Sequence, residues 1–269
     1  MKIQTLIATM YREDLSFLEK MNIKNNYVVI NQTDFVKFPK FDNLNEDPSR
    51  IVLSNQERGL SKSRNLAISN SFSDICLVSD DDIVFVDGFE DKIRKMYQDL
   101  PEADIIIYDY STSDKKRQCK RLGFSPKKLR LIDLLKVSSV RISFKREKIE
   151  NNNIKFNELF GAGSTFPSGE ENLFLKDCFN SRLKIYYYPL VICDVDFEES
   201  SWFNGFDEQY FQGKGALSYA FWGKIYHLYN LYFVISKYKL YHKNLSIIAA
   251  LKSMYKGKIK FEQIIKNGE

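Results

Sequence analysis

The sequence predicts an α/β protein built on a mainly parallel sheet with flanking helices, its ligands at the carboxyl ends of the strands, followed by a helical C-terminal extension. Three observations predict it. Apolar, β-branched runs alternate with helix-period segments through residues 1–110. Three consecutive acids, Asp80, Asp81 and Asp82, close the apolar run Ile75, Cys76, Leu77, Val78. Beyond position 213 the composition turns aromatic and basic.

The elements follow in order. Residues 2–8 read as a first strand, 14–21 as a helix, 27–31 as a second strand and 50–54 as a third. Residues 61–69 read as a helix and 75–79 as the strand that carries the acids. Residues 88–100 form a further helix and 103–110 another strand. The stretch 111–155, with Lys115, Lys116, Arg117 and then Lys127, Lys128, Arg130, is expected to be mostly a solvated connector or an extension of the sheet. The expected division is a catalytic domain over 1–212, with a ligand-binding half to 110 and a second half from 111, and a tail over 213–269. In that tail Tyr219, Trp222, Tyr226, Tyr229 and Phe233 recur at steps of three and four, the period of one helix face. With the lysine excess, the stripe is expected to pack on the domain and also to touch lipid headgroups of an anionic membrane, with packing alone as the alternative.

Composition excludes several classes. At 269 residues and 44% hydrophobic the chain can bury a large core. Its four cysteines are widely spaced, without a CxxC pair, so reduced thiols in a cytosolic protein are expected and a zinc site is not. The amino terminus runs directly into a strand, so no signal peptide is expected, and no run approaches the roughly 18 apolar residues of a membrane span. His227 and His242 lack acidic neighbours and are expected to be packed or interfacial. Charge is divided unevenly. From 213 onward there are ten lysines, no arginine and two acids, a formal +8, which leaves −3 of the overall +5 to residues 1–212. A basic tail of this kind suits an anionic surface, and the absence of arginine disfavours nucleic acid.

The acid triplet is a candidate divalent-metal and ligand site, because carboxylates so close together repel unless a cation neutralises them. The familiar phosphate loops are missing. Nothing matches GxxxxGK[ST], and Thr9-Met10-Tyr11-Arg12 stands where a GxGxxG turn would follow the first strand. Gly59 supplies turn freedom ahead of the 61–69 helix, and Arg64 lies in that helix's first turn, where it can face an anion or form an ion pair. Glu170 and Glu171 offer a general base. Ser168-Gly169-Glu170-Glu171 also has the S-x-x-E form of a capping box, and the two roles compete for one side chain. Gly161-Ala162-Gly163-Ser164 is a plausible lining for an acceptor or a plain turn, and Lys214, between Gly213 and Gly215, is either a mobile cation over a diphosphate or part of a hinge.

Taken together, Ala8-Thr9-Met10, the run from Glu57 through Gly59, Ser61, Arg64 and Asn65 to Ala67, Ser79-Asp80-Asp81-Asp82, and Ser168-Gly169-Glu170-Glu171 resemble the family 2 glycosyltransferases of the GT-A fold. The likeness covers roughly residues 1–200 and holds in order and spacing. It implies an inverting, metal-dependent transfer of a sugar from a nucleotide-sugar, with UDP favoured, to a glycan acceptor, lipid-linked as in bacterial surface-polysaccharide synthesis, at the inner face of the cell membrane. It implies donor contacts from Ala8, Thr9, Asn31, Gly59, Arg64, Asp80 and Asp81, a Mn²⁺ or Mg²⁺ held by Asp82 and Asp80, and Glu171, or else Glu170, as the base. The family's acid cluster reads DxDD, whereas Ser79 stands at the first acidic position here, so which two of the three acids act stays open. Asn31 replaces an acid that reads the uracil base, and its amide can still hydrogen-bond a base edge. Two other classes compete. A sugar nucleotidyltransferase would carry a glycine-rich basic loop after the first strand, which Thr9 to Asp14 does not supply; a non-catalytic membrane-binding module would rest on the tail alone.

Overall fold

The computed structural model describes residues 1–24, 26–34, 47–115, 118–195 and 205–268. Chain order is β1 (Ile3–Met10), α1 (Ser16–Lys20), β2 (Tyr27–Gln32), β3 (Arg50–Asn55), α2 (Leu60–Ser69), β4 (Ile75–Asp80), β5 (Ile83–Phe85), α3 (Phe89–Asp99), β6 (Ile105–Ser111), β7 (Lys127–Lys128), β8 (Ile142–Lys145), α4 (Arg146–Asn151), α5 (Glu170–Asn180), β9 (Ile185–Val195), α6 (Glu208–Trp222), α7 (Tyr226–Tyr241) and α8 (Ile247–Asn267). One sheet runs β3-β2-β1-β4-β8-β6-β9-β5, with β7 on β9. The strands β3, β2, β1 and β4 are mutually parallel, as are β6 and β9, while β8 and β5 run against their neighbours.

Alternation along the strands builds two cores, because successive side chains leave opposite faces of a strand. Leu6, Val28 and Ile30 face α2, α5 and α6, packing with Ala67, Phe174 and Leu217. Ile7, Tyr27 and Val29 face the other way, onto Phe17 and Leu18 of α1 and Ile93 and Met96 of α3. The expected α/β architecture with a C-terminal helical extension is the one observed.

The middle stretch is more than a solvated connector. Leu122, Leu129, Leu134 and Val137 are buried, and Lys127–Lys128 form a short edge strand on β9. It is fastened by a fully buried ion pair, Arg141 Nη2 to Asp109 Oδ1 at 2.8 Å, with the Tyr187 hydroxyl donating to the other Asp109 oxygen at 2.7 Å. Lys116 and Arg117 lie outside the described residues.

Two expectations about the tail change. The aromatic stripe is not on one helix, because the chain breaks at Gly223, with φ of 57°, between α6 and α7. Its members still meet across the break. Tyr219 packs edge-on to Tyr226, Trp222 tilts against Tyr229, and Tyr229 stacks on Phe233. Nor do Gly213 and Gly215 form a hinge, since both lie inside α6, as does the 212/213 boundary. Gly215 is required by close approach. A Cβ there would sit 1.9 Å from the Met254 carbonyl oxygen of α8, and one on Gly257 would sit 1.9 Å from that of Gln212 in α6. The two helices thus cross backbone to backbone.

Candidate active site

Parallel pairing gathers the first group of residues. In register, Ala8 of β1 lies beside Asp80 of β4, and Thr9 beside Asn31 of β2, so three strands deliver them to one carboxyl edge. Thr9 and Met10 belong to β1 itself rather than following it. Asp80 ends β4, and Asp81 and Asp82 make the turn into β5. The acids are not left to repel one another. Asp81 Oδ2 accepts from Thr9 Oγ1 at 2.5 Å and from Arg12 Nη2 at 2.7 Å, and Asp80 Oδ1 accepts from Arg64 Nη2 at 2.8 Å.

Arg64 joins the two halves of the site. Its side chain is 2% exposed, and its other terminal nitrogen, Nη1, donates to Glu170 Oε1 at 2.7 Å. The guanidinium also lies over the Phe156 ring, its central carbon 5.5 Å from the centroid. Burying a guanidinium in this way is tolerable only because two carboxylates meet it. Arg64 is therefore a cross-link between the acid-bearing strand and helix α5, not a cation open to a ligand. Glu170, 5% exposed, is its anchor.

The neighbouring Glu171 makes no ion pair with an arginine among the described residues. The expected capping box is not formed. The N-cap of α5 is Gly169, with φ of 104° and no side-chain cap, and Glu171 lies in the first turn, where its carboxylate accepts from its own backbone N–H. Ser168 instead accepts from Lys214 Nζ at 3.3 Å. Burial, followed by the charge of Glu170, raises the Glu171 carboxyl to about 8, with Arg64 and Lys214 pulling the other way. Burial likewise lowers Lys214, against the pull of Glu171 and Glu170. Helix α6 thus forms a wall of the site, and its Leu217 packs so closely on Gly169 that a Cβ there would meet it at 2.6 Å.

The remaining expected residues surround this centre. Gly59 is the N-cap of α2, with φ of 126°, and its N–H donates to Gln32 Oε1 at 3.0 Å. The loop from Gly161 to Ser164 folds onto it: Leu60 N donates to the Ala162 carbonyl, and a Cβ on Gly161 would lie 3.4 Å from the Glu170 carboxyl carbon. Asn31 is fully buried, and its amide accepts from Arg12 N at 3.0 Å and donates to Arg12 O at 2.8 Å. It fixes the loop after β1, which is a different task from the expected reading of a base edge. Arg12 itself was not legible as a site residue, nor was the cluster in which Arg58 lies over the Tyr11 ring, 4.7 Å to the centroid, and pairs with Asp34. The only signal for Arg12 was its place just past the first strand.

The donor set suits a hard cation. Among the described residues, Asp80 Oδ2 and Asp81 Oδ1 make no hydrogen bond, and both groups are partly exposed beside Asp82. No group of three or more His, Cys, Asp or Glu is assembled among the described residues. Mg²⁺ and Mn²⁺ in phosphate sites commonly take one or two carboxylates and complete their shell with phosphate and water, which is what these strand-end acids can offer.

No protein-family model matches this sequence, and no curated protein does either. Solved structures do. The S. aureus TarS 1–349 structure in complex with UDP-GlcNAc superposes with a TM-score of 0.61 at 13% identity, over 100% of this chain and 93% of that one. This chain has the TarS fold. The TarS 1–349 complex with UDP gives a TM-score of 0.55 at 13% identity over 100% of this chain and 92% of that one. A longer S. aureus TarS structure gives 0.56 at 14% identity, over 81% of this chain and only 39% of its own length.

Proposed function

We propose that the chain is an inverting glycosyltransferase that uses a nucleotide-sugar, preferentially a UDP-sugar, and a hydroxyl of a glycan acceptor. One observation carries the reading: Arg64 ties Asp80, on the acid-bearing strand edge, to Glu170, and so holds the first turn of α5, which carries Glu171, against that edge. The TarS structures with UDP and UDP-GlcNAc support the donor class, because this chain shares their fold.

Glu171 takes the proton from the acceptor hydroxyl as its oxygen attacks the anomeric carbon. The bond from that carbon to the diphosphate oxygen breaks on the opposite face, and the nucleoside diphosphate leaves with the electron pair. Asp82 and Asp80 would hold a Mn²⁺ or Mg²⁺, which when bound neutralises charge on the leaving diphosphate. Ala8, Thr9, Gly59 and Asp81 border the donor, with Asp81 oriented by Arg12 and Thr9. The basic C-terminal region favours a lipid-linked acceptor in surface-polysaccharide synthesis.

A screen of UDP-, GDP- and dTDP-sugars for metal-dependent donor hydrolysis tests the reading. Release of UDP from a UDP-sugar is expected, and no turnover with any donor would overturn it. The pH profile gives a second check. A base must be ionised to act, so kcat/KM should rise with pH toward about 8 rather than level off near the ordinary glutamate value of about 4.3. Lys214 favours the ionised carboxylate, so its replacement in Lys214→Met should move this limb to higher pH. Loss of activity by the same factor at every pH would make Lys214 a packing residue.

A further inference from the structure

Helix α7 has its apolar residues on both sides. Its inward face buries Asn230, Val234 and Tyr241, with Val234 and Tyr241 packed against Ala250 and Met254 of α8. Its outward face carries Leu228 at 62% exposure, Leu231 at 47%, Tyr232 at 68%, Ile235 at 57% and Tyr238 at 42%. The steps of three and four between them place all five on one side of the helix. Single exposed leucines are ordinary, but a contiguous apolar face on a soluble surface marks a contact. The half-buried aromatic stripe singled out by periodicity is a different set, turned inward and spent on packing between α6 and α7.

The charges beside this face say what covers it. Lys224, Lys239 and Lys243 are exposed at its margins, and the sequence contains no Asp or Glu between Glu208 and Glu262. On α8, Lys252 and Lys256 repeat the pattern beside exposed Ile248 and Tyr255. A second copy of this chain would set lysines against lysines across a two-fold contact. A nucleic acid would satisfy the lysines and leave the leucines in water. No helix among the described residues is long and apolar enough to cross a membrane. A helix that lies in the plane of an anionic bilayer satisfies both features, with lysines at the headgroups, apolar side chains at the acyl boundary and tyrosines between.

We propose that the outward face of α7 docks the protein on anionic phospholipid, through Leu228, Leu231, Tyr232, Ile235 and Tyr238 framed by Lys224, Lys239 and Lys243. The inference stands apart from the catalytic reading, since none of these residues is placed at the candidate active site.

Cosedimentation of the full chain with vesicles tests it. The protein should pellet with phosphatidylcholine vesicles containing phosphatidylglycerol at low salt, and bind pure phosphatidylcholine more than about tenfold less tightly, because each lysine near an anionic surface contributes severalfold in affinity. The double substitution Leu228→Glu, Ile235→Glu should weaken binding roughly a hundredfold, since two side chains no longer enter the apolar boundary. Both positions are exposed, so its melting temperature should match that of the parent. Lys239→Gln with Lys243→Gln, which leaves the apolar face whole, should weaken binding to the anionic vesicles alone. Failure of the parent to pellet at low salt, or equal binding by the parent and the Leu228→Glu, Ile235→Glu protein, would overturn the proposal. So would a vesicle-free dimer that this double substitution dissociates, which would assign the face to a second copy. None of these readouts requires turnover, so a failed donor screen would leave them intact.

Discussion

Glu171→Gln should lower turnover by roughly 10²- to 10⁴-fold, the range associated with removal of a general base, while donor affinity and melting temperature stay close to those of the parent. The substitution keeps the shape of the side chain and removes only its capacity to take a proton. Helix α5 should tolerate it, because its N-cap is Gly169 and a glutamine oxygen can still accept the backbone N–H bond that the Glu171 carboxylate accepts. Steady-state kinetics with a fixed UDP-sugar, alongside UDP titration, separate the two quantities. Near-normal turnover would remove Glu171 from the chemistry and return attention to Glu170, whose carboxylate would then have to act while paired with Arg64.

Arg64→Met should be the most destabilising single change at the site. It leaves Glu170 buried without its cation, and breaking a buried pair from one side costs about 3–5 kcal/mol. The lower end applies, because the Asp80 carboxylate is 32% exposed and water can replace its partner. A loss of about 3 kcal/mol corresponds to a fall in Tm of roughly 6–12 °C for a chain of this class. Adding Glu170→Gln to Arg64→Met should recover part of that loss, since the orphaned charge is then gone. Thermal unfolding of the two proteins measures this, and an unchanged Tm in Arg64→Met would show that the cross-link between β4 and α5 contributes no stability.

The sequence was most informative where the signal is local. Strands expected at 2–8, 27–31 and 75–79 appear as Ile3–Met10, Tyr27–Gln32 and Ile75–Asp80, because each is a Val- and Ile-rich run bounded by polar residues. The acid triplet was visible for the same reason. What escaped depends on partners far apart in the chain. Nothing near Arg64 reveals that Asp80 and Glu170, 16 and 106 positions away, would both claim its guanidinium and bury it. The role of Asn31 could not be read because it depends on the backbone of Arg12, 19 positions earlier. Periodicity found the aromatic residues that repeat most regularly, but apolar residues lie on more than one side of α7, and only the packing of Val234 and Tyr241 onto α8 shows which side is left outward. The break at Gly223 then divides a pattern that spacing alone had made continuous.

The most direct test of the central claim, that the strand-end acids form a nucleoside-diphosphate site, is thermal unfolding of the full chain with UDP and Mn²⁺, compared with the Asp82→Asn protein. At UDP about a hundredfold above its dissociation constant the parent should gain about 2.7 kcal/mol, a rise of roughly 5–10 °C in Tm. Asp82→Asn, which removes one charged oxygen from the acid cluster, should show no rise with ligand above its own unliganded Tm. A parent Tm that does not move with UDP and Mn²⁺, or a rise of equal size in Asp82→Asn, would contradict the account.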